Sequence, residues 1–280
     1  MHDKLRSLTT VIALTAGLSM SAALHAQAIA TPPATTVVVV PAPAAEVKPP
    51  PDPYTITGNF GIYSQYIFRG LRQTDGKPAF QGGFDYAHTN GWYMGTWGSN
   101  ISWIHDLGNV CDHGCSLEWD FYGGWKYAIN DDWGTDLGVL YYFYPGSYID
   151  GAINPSTTEV YAAISWKWLS FKFSDTLGNT FGVANAKGTY YADLSANFPL
   201  NDIFTLNAHV GSQQYHGSNN GVSNSDALSY TDWKLGITWV YNGYNIGAYY
   251  TDSNAKDAGY TIAGRNIGKS TGVLFVQKTF

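Results

Sequence analysis

From Tyr54 onward, apolar and polar residues alternate with a period of two through segments of roughly nine to thirteen residues, and no stretch carries a 3.6-residue stripe. Twelve such segments can be placed, at 55–69, 79–88, 92–103, 116–129, 134–144, 157–168, 169–176, 188–198, 203–214, 229–241, 244–252 and 270–280. In 229–241, Trp233, Leu235, Ile237, Trp239 and Tyr241 share one face of the strand, and Asp232, Lys234, Gly236 and Thr238 share the other. In 116–129 the apolar face is Leu117, Trp119, Phe121, Trp125, Tyr127 and Ile129, against Glu118, Asp120, Tyr122 and Lys126. In 157–168 it is Val160, Ala162, Ile164 and Trp166, against Glu159, Tyr161, Ser165 and Lys167. Each segment thus faces two different environments.

The connections carry a second, independent pattern. Longer loops (70–78, 104–115, 145–156, 177–187, 215–228 and 253–269) follow the odd-numbered segments, and short breaks such as Thr89-Asn90-Gly91, Trp168-Leu169 and Asn242-Gly243 follow the even-numbered ones. A soluble sandwich has no reason to sort loop lengths by parity, whereas an outer-membrane barrel has short turns at one end and long loops at the other. The even count fits single-chain bacterial barrels, and the lengths fit strands that cross the apolar layer at a tilt. The pattern therefore predicts an all-β chain, an antiparallel transmembrane β-barrel over 54–280 with its apolar face toward lipid and its polar face toward a lumen. Aromatics near the short breaks (Trp92, Trp125, Tyr127, Trp133, Trp166, Trp168, Trp239, Tyr241 and Tyr244) read as one interfacial girdle, and Tyr66, Phe68, Trp103, Trp119 and Trp233 as the second. The last segment ends in Phe280; Lys278 shares its phase and leaves the facing of that strand open.

Upstream of this pattern, Lys4 and Arg6 precede the apolar stretch 11–24 and the small-x-small run Ala26-Gln27-Ala28, which marks 1–28 as a secretory signal peptide. Eight of the twelve prolines lie in 29–53, so that segment reads as a disordered linker. Export through the periplasm to the outer membrane of a Gram-negative bacterium is the localisation expected. Composition sharpens this only a little. With 16% aromatic and 13% charged residues the chain is neither a disordered protein nor a coiled coil. No apolar run reaches 18 residues, so helical spans are not expected. A net charge of −6 with scattered Lys and Arg gives no nucleic-acid footprint. The two cysteines, Cys111 and Cys115, flank Asp-His-Gly, and in an exported chain they read as a local disulfide. A zinc site around His113 would want ligands that the chain does not supply as cysteine. So short a ring contributes about 2 kcal/mol in the loop-entropy picture, a stiffening of its own loop.

The run Tyr66-Ile67-Phe68-Arg69-Gly70-Leu71-Arg72-Gln73, together with Pro78 to His88 and Gly91 to Asn100, resembles the TorF-type porins of proteobacterial outer membranes. Weaker similarity runs through Glu118 to Trp125, Tyr141 to Pro145, Glu159-Val160-Tyr161 and Lys278-Thr279-Phe280, so the resemblance covers most of 54–280. The Pro-rich 29–53 segment looks like an addition to the family's short mature N-terminus. The resemblance implies an outer-membrane barrel surrounded by lipid, called a porin by its architecture and inserted by assembly machinery that reads the terminal aromatic, Phe280. It names no substrate, and neither a cofactor nor a metal is expected.

Pore-lining candidates in the polar phase are Arg69, Asp85, Glu118, Asp120, Lys126, Asp136, Glu159, Lys167, Lys172, Asp193, His209, Asp232 and Lys234. Acids outnumber permanent bases seven to five, which points to a weak preference for cations. The opposing reading is that these charges pair across the lumen and fill it. A lipid hydrolase would need a nucleophile and a base on the lipid side; of the mature histidines only His209 lies in a strand, in the lumen phase, and no Gly-x-Ser-x-Gly elbow exists. The chain is therefore read as a non-enzymatic channel for passive diffusion of small hydrophilic solutes or ions. A non-conducting structural or ligand-binding barrel is the alternative, with the loops 104–115 and 215–228 as docking segments. Tyr141, Tyr142, Tyr144, Tyr148 and Tyr215 near the outer mouth are candidates to stack on sugars or to belong to an aromatic belt.

Overall fold

The computed structural model describes residues 52–280, so the expected signal peptide and nearly all of the Pro-rich linker lie outside the described residues. Twelve long strands follow one another: β1 (Tyr54–Tyr63), β2 (Ala79–His88), β3 (Trp92–Asn100), β4 (Leu117–Ala128), β5 (Trp133–Phe143), β6 (Thr157–Trp166), β7 (Leu169–Thr176), β8 (Tyr190–Pro199), β9 (Phe204–Gln214), β10 (Tyr230–Tyr241), β11 (Tyr244–Ser253) and β12 (Thr271–Thr279). Each pairs antiparallel with its chain neighbours, and β1 pairs with β12, so the sheet closes into a barrel of twelve strands. Short turns gather at one end and long loops at the other, as the connection pattern requires.

Outside and inside separate strand by strand. Ile56, Phe60, Phe84, Leu137, Val139, Leu235 and Ile237 stand on the outer face as an exposed apolar band, while the residues between them are turned inward. The last strand takes its facing from the same rule. Leu274 is 67% exposed and Val273 1%, which puts Leu274, Val276, Lys278 and Phe280 on the outer face. The Lys278 ammonium there lies 4.6 Å from the centre of the Tyr244 ring, near the short-turn end. An apolar outer face is stable in hydrocarbon because closure leaves no unpaired strand edge.

Two sequence expectations change here. The girdle at the short turns contains exposed Trp92, Tyr127, Trp133, Trp166, Tyr241 and Tyr244. Of the second girdle, however, only Trp119 and Trp233 face out. Tyr66 is buried, and Phe68 and Trp103 pack against the same cluster inside the long-loop end. The strand expected over 55–69 ends at Tyr63, because the ladder with β2 ends at Tyr63↔Ala79 and the chain then turns inward.

Glycines make room for the inward tyrosines. A Cβ at Gly95 would lie 2.5 Å from the Tyr122 ring, one at Gly138 2.5 Å from Tyr161, and one at Gly124 2.6 Å from the Tyr93 hydroxyl. The rings thus lie flat against the wall over neighbouring strands, which lets a narrow barrel hold many large side chains. Gly95→Ala is expected to displace Tyr122 and cost about 1–3 kcal/mol. The same change in a Tyr122→Ala background should cost clearly less, read as the temperature at which the folded, fast-migrating band is lost on unboiled gels.

Candidate functional site

The segment between β1 and β2 does not stay outside the mouth. It folds into the lumen as a small hairpin, Ile67–Phe68 paired with Leu71–Arg72. Its two-residue tip, Arg69 and Gly70, has φ of 46° and 76°, the tight turn that twists with its strands. Gly70 is demanded twice over, since a Cβ there would also lie 2.5 Å from the Asp232 Cβ on β10. The hairpin leaves the wall at β1 and β2 and reaches strands across the barrel.

Arg69 is the anchor of this crossing. Its Nη1 donates to Glu159 Oε1 at 2.9 Å and to Gln213 Oε1 at 3.0 Å, and its Nη2 to Glu159 Oε2 at 2.8 Å. The guanidinium also lies over the Tyr191 ring, 4.3 Å from its centre. A two-pronged guanidinium–carboxylate contact with both side chains nearly buried is strong only because each partner is otherwise desolvated and hydrogen-bonded. Around it Phe68 meets Tyr142 and Phe181 edge to face, and the hydroxyls of Tyr66 and Tyr144 donate to the two oxygens of Glu118 at 2.8 and 3.1 Å. Above the hairpin, Ile101, Ile104 and Cys115 join Tyr66 and Tyr144 in one apolar cluster, and Leu71 packs with Tyr230, Tyr260 and Ile267 in another. The hairpin is therefore held from below by charge and from above by two apolar roofs. The Cys111–Cys115 disulfide closes the loop beside the first roof.

A second network lies on β8 to β10. His209 Nδ1 is 2.6 Å from Asp193 Oδ2 and its Nε2 is 2.7 Å from Asp232 Oδ2, so both ring nitrogens act as donors to carboxylates. Tyr191 donates to Asp232 Oδ1 at 2.9 Å and Ser195 to Asp193 Oδ1 at 2.6 Å. On the other wall Tyr93 donates to Asp136 at 2.6 Å and Tyr122 to Asp85 at 2.6 Å. Asp120 is buried opposite Trp97 in the ladder, with Oδ1 unpaired among the described residues.

Register orders the charges into a row. Lys126 stands opposite Asp136, Asp136 opposite Ala163, Ala163 opposite Lys172, Lys172 opposite Asp193, Asp193 opposite Gly211, and Gly211 opposite Asp232. Strands of a closed barrel tilt, so a row perpendicular to them climbs the wall. This one rises from Lys126, near the short-turn end of β4, to Asp232, near the long-loop end of β10. Burial follows the same axis in part. Glu118, Glu159 and Asp232 in the outer half are buried, whereas inward Lys126, Asp193, Ser195, Asn197, Thr205, Asn207 and Thr238 toward the short turns are only partly so. The long-loop half of the lumen is filled by the hairpin and its partners, while toward the short turns burial is uneven, with Asp136, Ser165 and Gln277 buried beside the partly exposed Lys126, Asp193 and Asn207.

Two candidates stand elsewhere than their strand phase implied. Arg69 enters the lumen from a hairpin, not from the wall. Lys167 is not in the lumen: the chain reverses at it with φ of 52°, and its side chain is half exposed at a short turn, 3.6 Å from Asp132. The alternation of Ser165 and Lys167 continues through the sequence, but the strand stops at Trp166. Without Lys167 the lumen carries the seven acids against four permanent bases. Of the outer tyrosines, Tyr142, Tyr144 and Tyr215 are buried, and Tyr141 faces outward, so none of these four offers a ring to solute at the mouth. Gln213, Tyr142 and Tyr191 were not singled out as partners of Arg69. Only Phe-Arg-Gly in a segment otherwise expected to be strand and loop hints at the hairpin.

Arg69→Met is expected to lower stability by about 3–5 kcal/mol, because it leaves the Glu159 carboxylate buried without its cation. The double variant Arg69→Met/Glu159→Met should be distinctly more stable than either single one, measured by loss of the folded gel band with temperature.

The fold is similar to solved barrels. The KdgM porin shares 7% identity at a TM-score of 0.49, with 80% of this chain and 99% of that chain covered. The NanC porin shares 12% at 0.48, covering 80% and 98%. An outer membrane channel from Pseudomonas putida F1 shares 12% at 0.48, covering 85% and 100%. No curated protein matches the sequence. Residues 47–280 match the model of a family described as bacterial protein of unknown function (Gcw_chp), and the chain belongs to that family.

Proposed function

We propose that this chain is an outer-membrane, porin-like channel for small hydrophilic solutes, gated at its outer half by the Arg69 hairpin. The observation that carries the reading is the lumen itself: a wall lined from end to end by ionisable and hydroxyl side chains inside a closed barrel with an apolar exterior. A barrel kept only as a membrane anchor has no need to bury seven carboxylates and four permanent cations in its interior, at the desolvation cost such groups carry. The resemblance of 66–100 to TorF-type porins, the signal peptide expected at 1–28 and the terminal Phe280 support the same placement in a Gram-negative outer membrane, with insertion by the barrel-assembly machinery and no catalytic role. The hairpin argues for a gate because its grip on the wall is polar and local, centred on one guanidinium. A non-conducting barrel is the second reading, favoured by the same plug if it never leaves.

Single-channel recording of the full-length protein purified from outer membranes discriminates the two. Discrete steps are expected, rare in the parent and at least threefold larger or more frequent in Arg69→Ala. Silence from both proteins, each shown to be folded, overturns the channel.

A further inference from the structure

The lumen carries more acids than bases, yet its charges are not equally engaged. Among the described residues, the ammonium groups of Lys126, Lys172 and Lys234 neither donate a hydrogen bond nor pair with a carboxylate. Each is held instead against a tyrosine ring, 4.5 Å from the centre of Tyr93, 3.8 Å from Tyr161 and 5.3 Å from Tyr249. Those rings are pinned by the wall, Tyr93 and Tyr161 by hydrogen-bonding to each other across Gly124 and Gly138. The neighbouring carboxylates accept hydrogen bonds from other groups: Asp85 from Tyr122, Asp136 from Tyr93, Asp193 from His209 and Ser195, Asp232 from His209 and Tyr191. The acids of the outer half, Glu118 and Glu159, are sealed beneath the hairpin by Tyr66, Tyr144 and Arg69. The lumen wall thus presents three partly buried ammonium groups with their donors unspent, on β4, β7 and β10, three strands apart around the wall.

We propose that Lys126, Lys172 and Lys234 form a binding site for small multivalent oxyanions, carried by carboxylate or phosphate groups, entered from the short-turn mouth. The ammonium groups supply charge and up to three donors each. Nearer the mouth, Ser195, Asn207 and Thr238 donate to Asp193, Asn197 and Asn207, and the Asn197 amide is left to supply a neutral hydrogen bond on the way in. This assignment rests on the porin-like reading for its biological sense.

The full-length protein in nonionic detergent, titrated calorimetrically at constant ionic strength with citrate and separately with inorganic phosphate, tests the site without requiring conduction. Saturable binding is expected, tighter for whichever oxyanion class the site takes. It should weaken tenfold or more in Lys172→Gln, be largely retained in Lys172→Arg, and be unchanged in Lys167→Gln, at a short turn and outside the lumen. Folding of each variant is checked by heat-modifiable migration. Absence of saturable binding of both anions to the folded parent overturns the proposal, as does equal binding by the parent and by Lys126→Gln, Lys172→Gln and Lys234→Gln. Binding by a barrel that conducts nothing leaves the site standing and removes the channel.

Discussion

The pairing of β1 with β12 is the constraint on which the rest depends. Gly58 and Phe280 exchange two backbone hydrogen bonds, at 2.7 and 2.9 Å, and the ladder runs on to Tyr63↔Phe275. With that seam closed, no strand edge faces lipid, and every side chain must point either to hydrocarbon or to the lumen. The exposed apolar band, the buried carboxylates and the ends sorted into short turns and long loops all follow from this one closure. So does the fixed register, because slipping any pair by one residue would turn ionisable residues to the lipid and leucines to the lumen.

Closure at twelve strands also sets the diameter, and the diameter explains the glycines. Tyr93, Tyr122, Tyr161 and Tyr191 cannot all project toward the axis of so narrow a barrel, so each lies over a glycine of a neighbouring strand. Laid flat, their hydroxyls reach carboxylates two or more strands away, as Tyr93 reaches Asp136 and Tyr191 reaches Asp232. The glycines thus do indirect electrostatic work: they place the phenols that hold the acids, and the ring faces on which the lysines rest.

Strand number, turn parity and the facing of most residues were legible in the sequence, because a period of two is a direct image of the wall and barrel ends differ in loop length. Ten of the expected strands begin and end within two residues of the observed ones. The failures share a cause. At Arg69 and Lys167 the alternation runs past the point where the ladder stops, and alternation alone cannot report that stop. At Lys167 the chain turns outward, and at Arg69 it turns inward to meet Glu159, ninety positions further along. That contact spans a lumen whose width no local pattern encodes. For the same reason Gln213 and Tyr191 could not be tied to Arg69, although all three lay in plain view as polar or aromatic positions.

The charge of the lumen is a further case where a count misleads. Seven acids against four permanent bases describe composition, but a solute responds to groups that are exposed and still have donors or acceptors to offer. The buried outer half spends its acids on holding the hairpin, and His209 spends its two donors on Asp193 and Asp232. The lysines make no pair although Asp136 stands opposite Lys126 and Asp193 opposite Lys172, because Tyr93 already donates to Asp136 and His209 and Ser195 to Asp193; Lys234 stands opposite His209. The register that closes the barrel therefore also decides which charges keep their donors unspent, and within a lumen that is acidic by composition those are the three lysines.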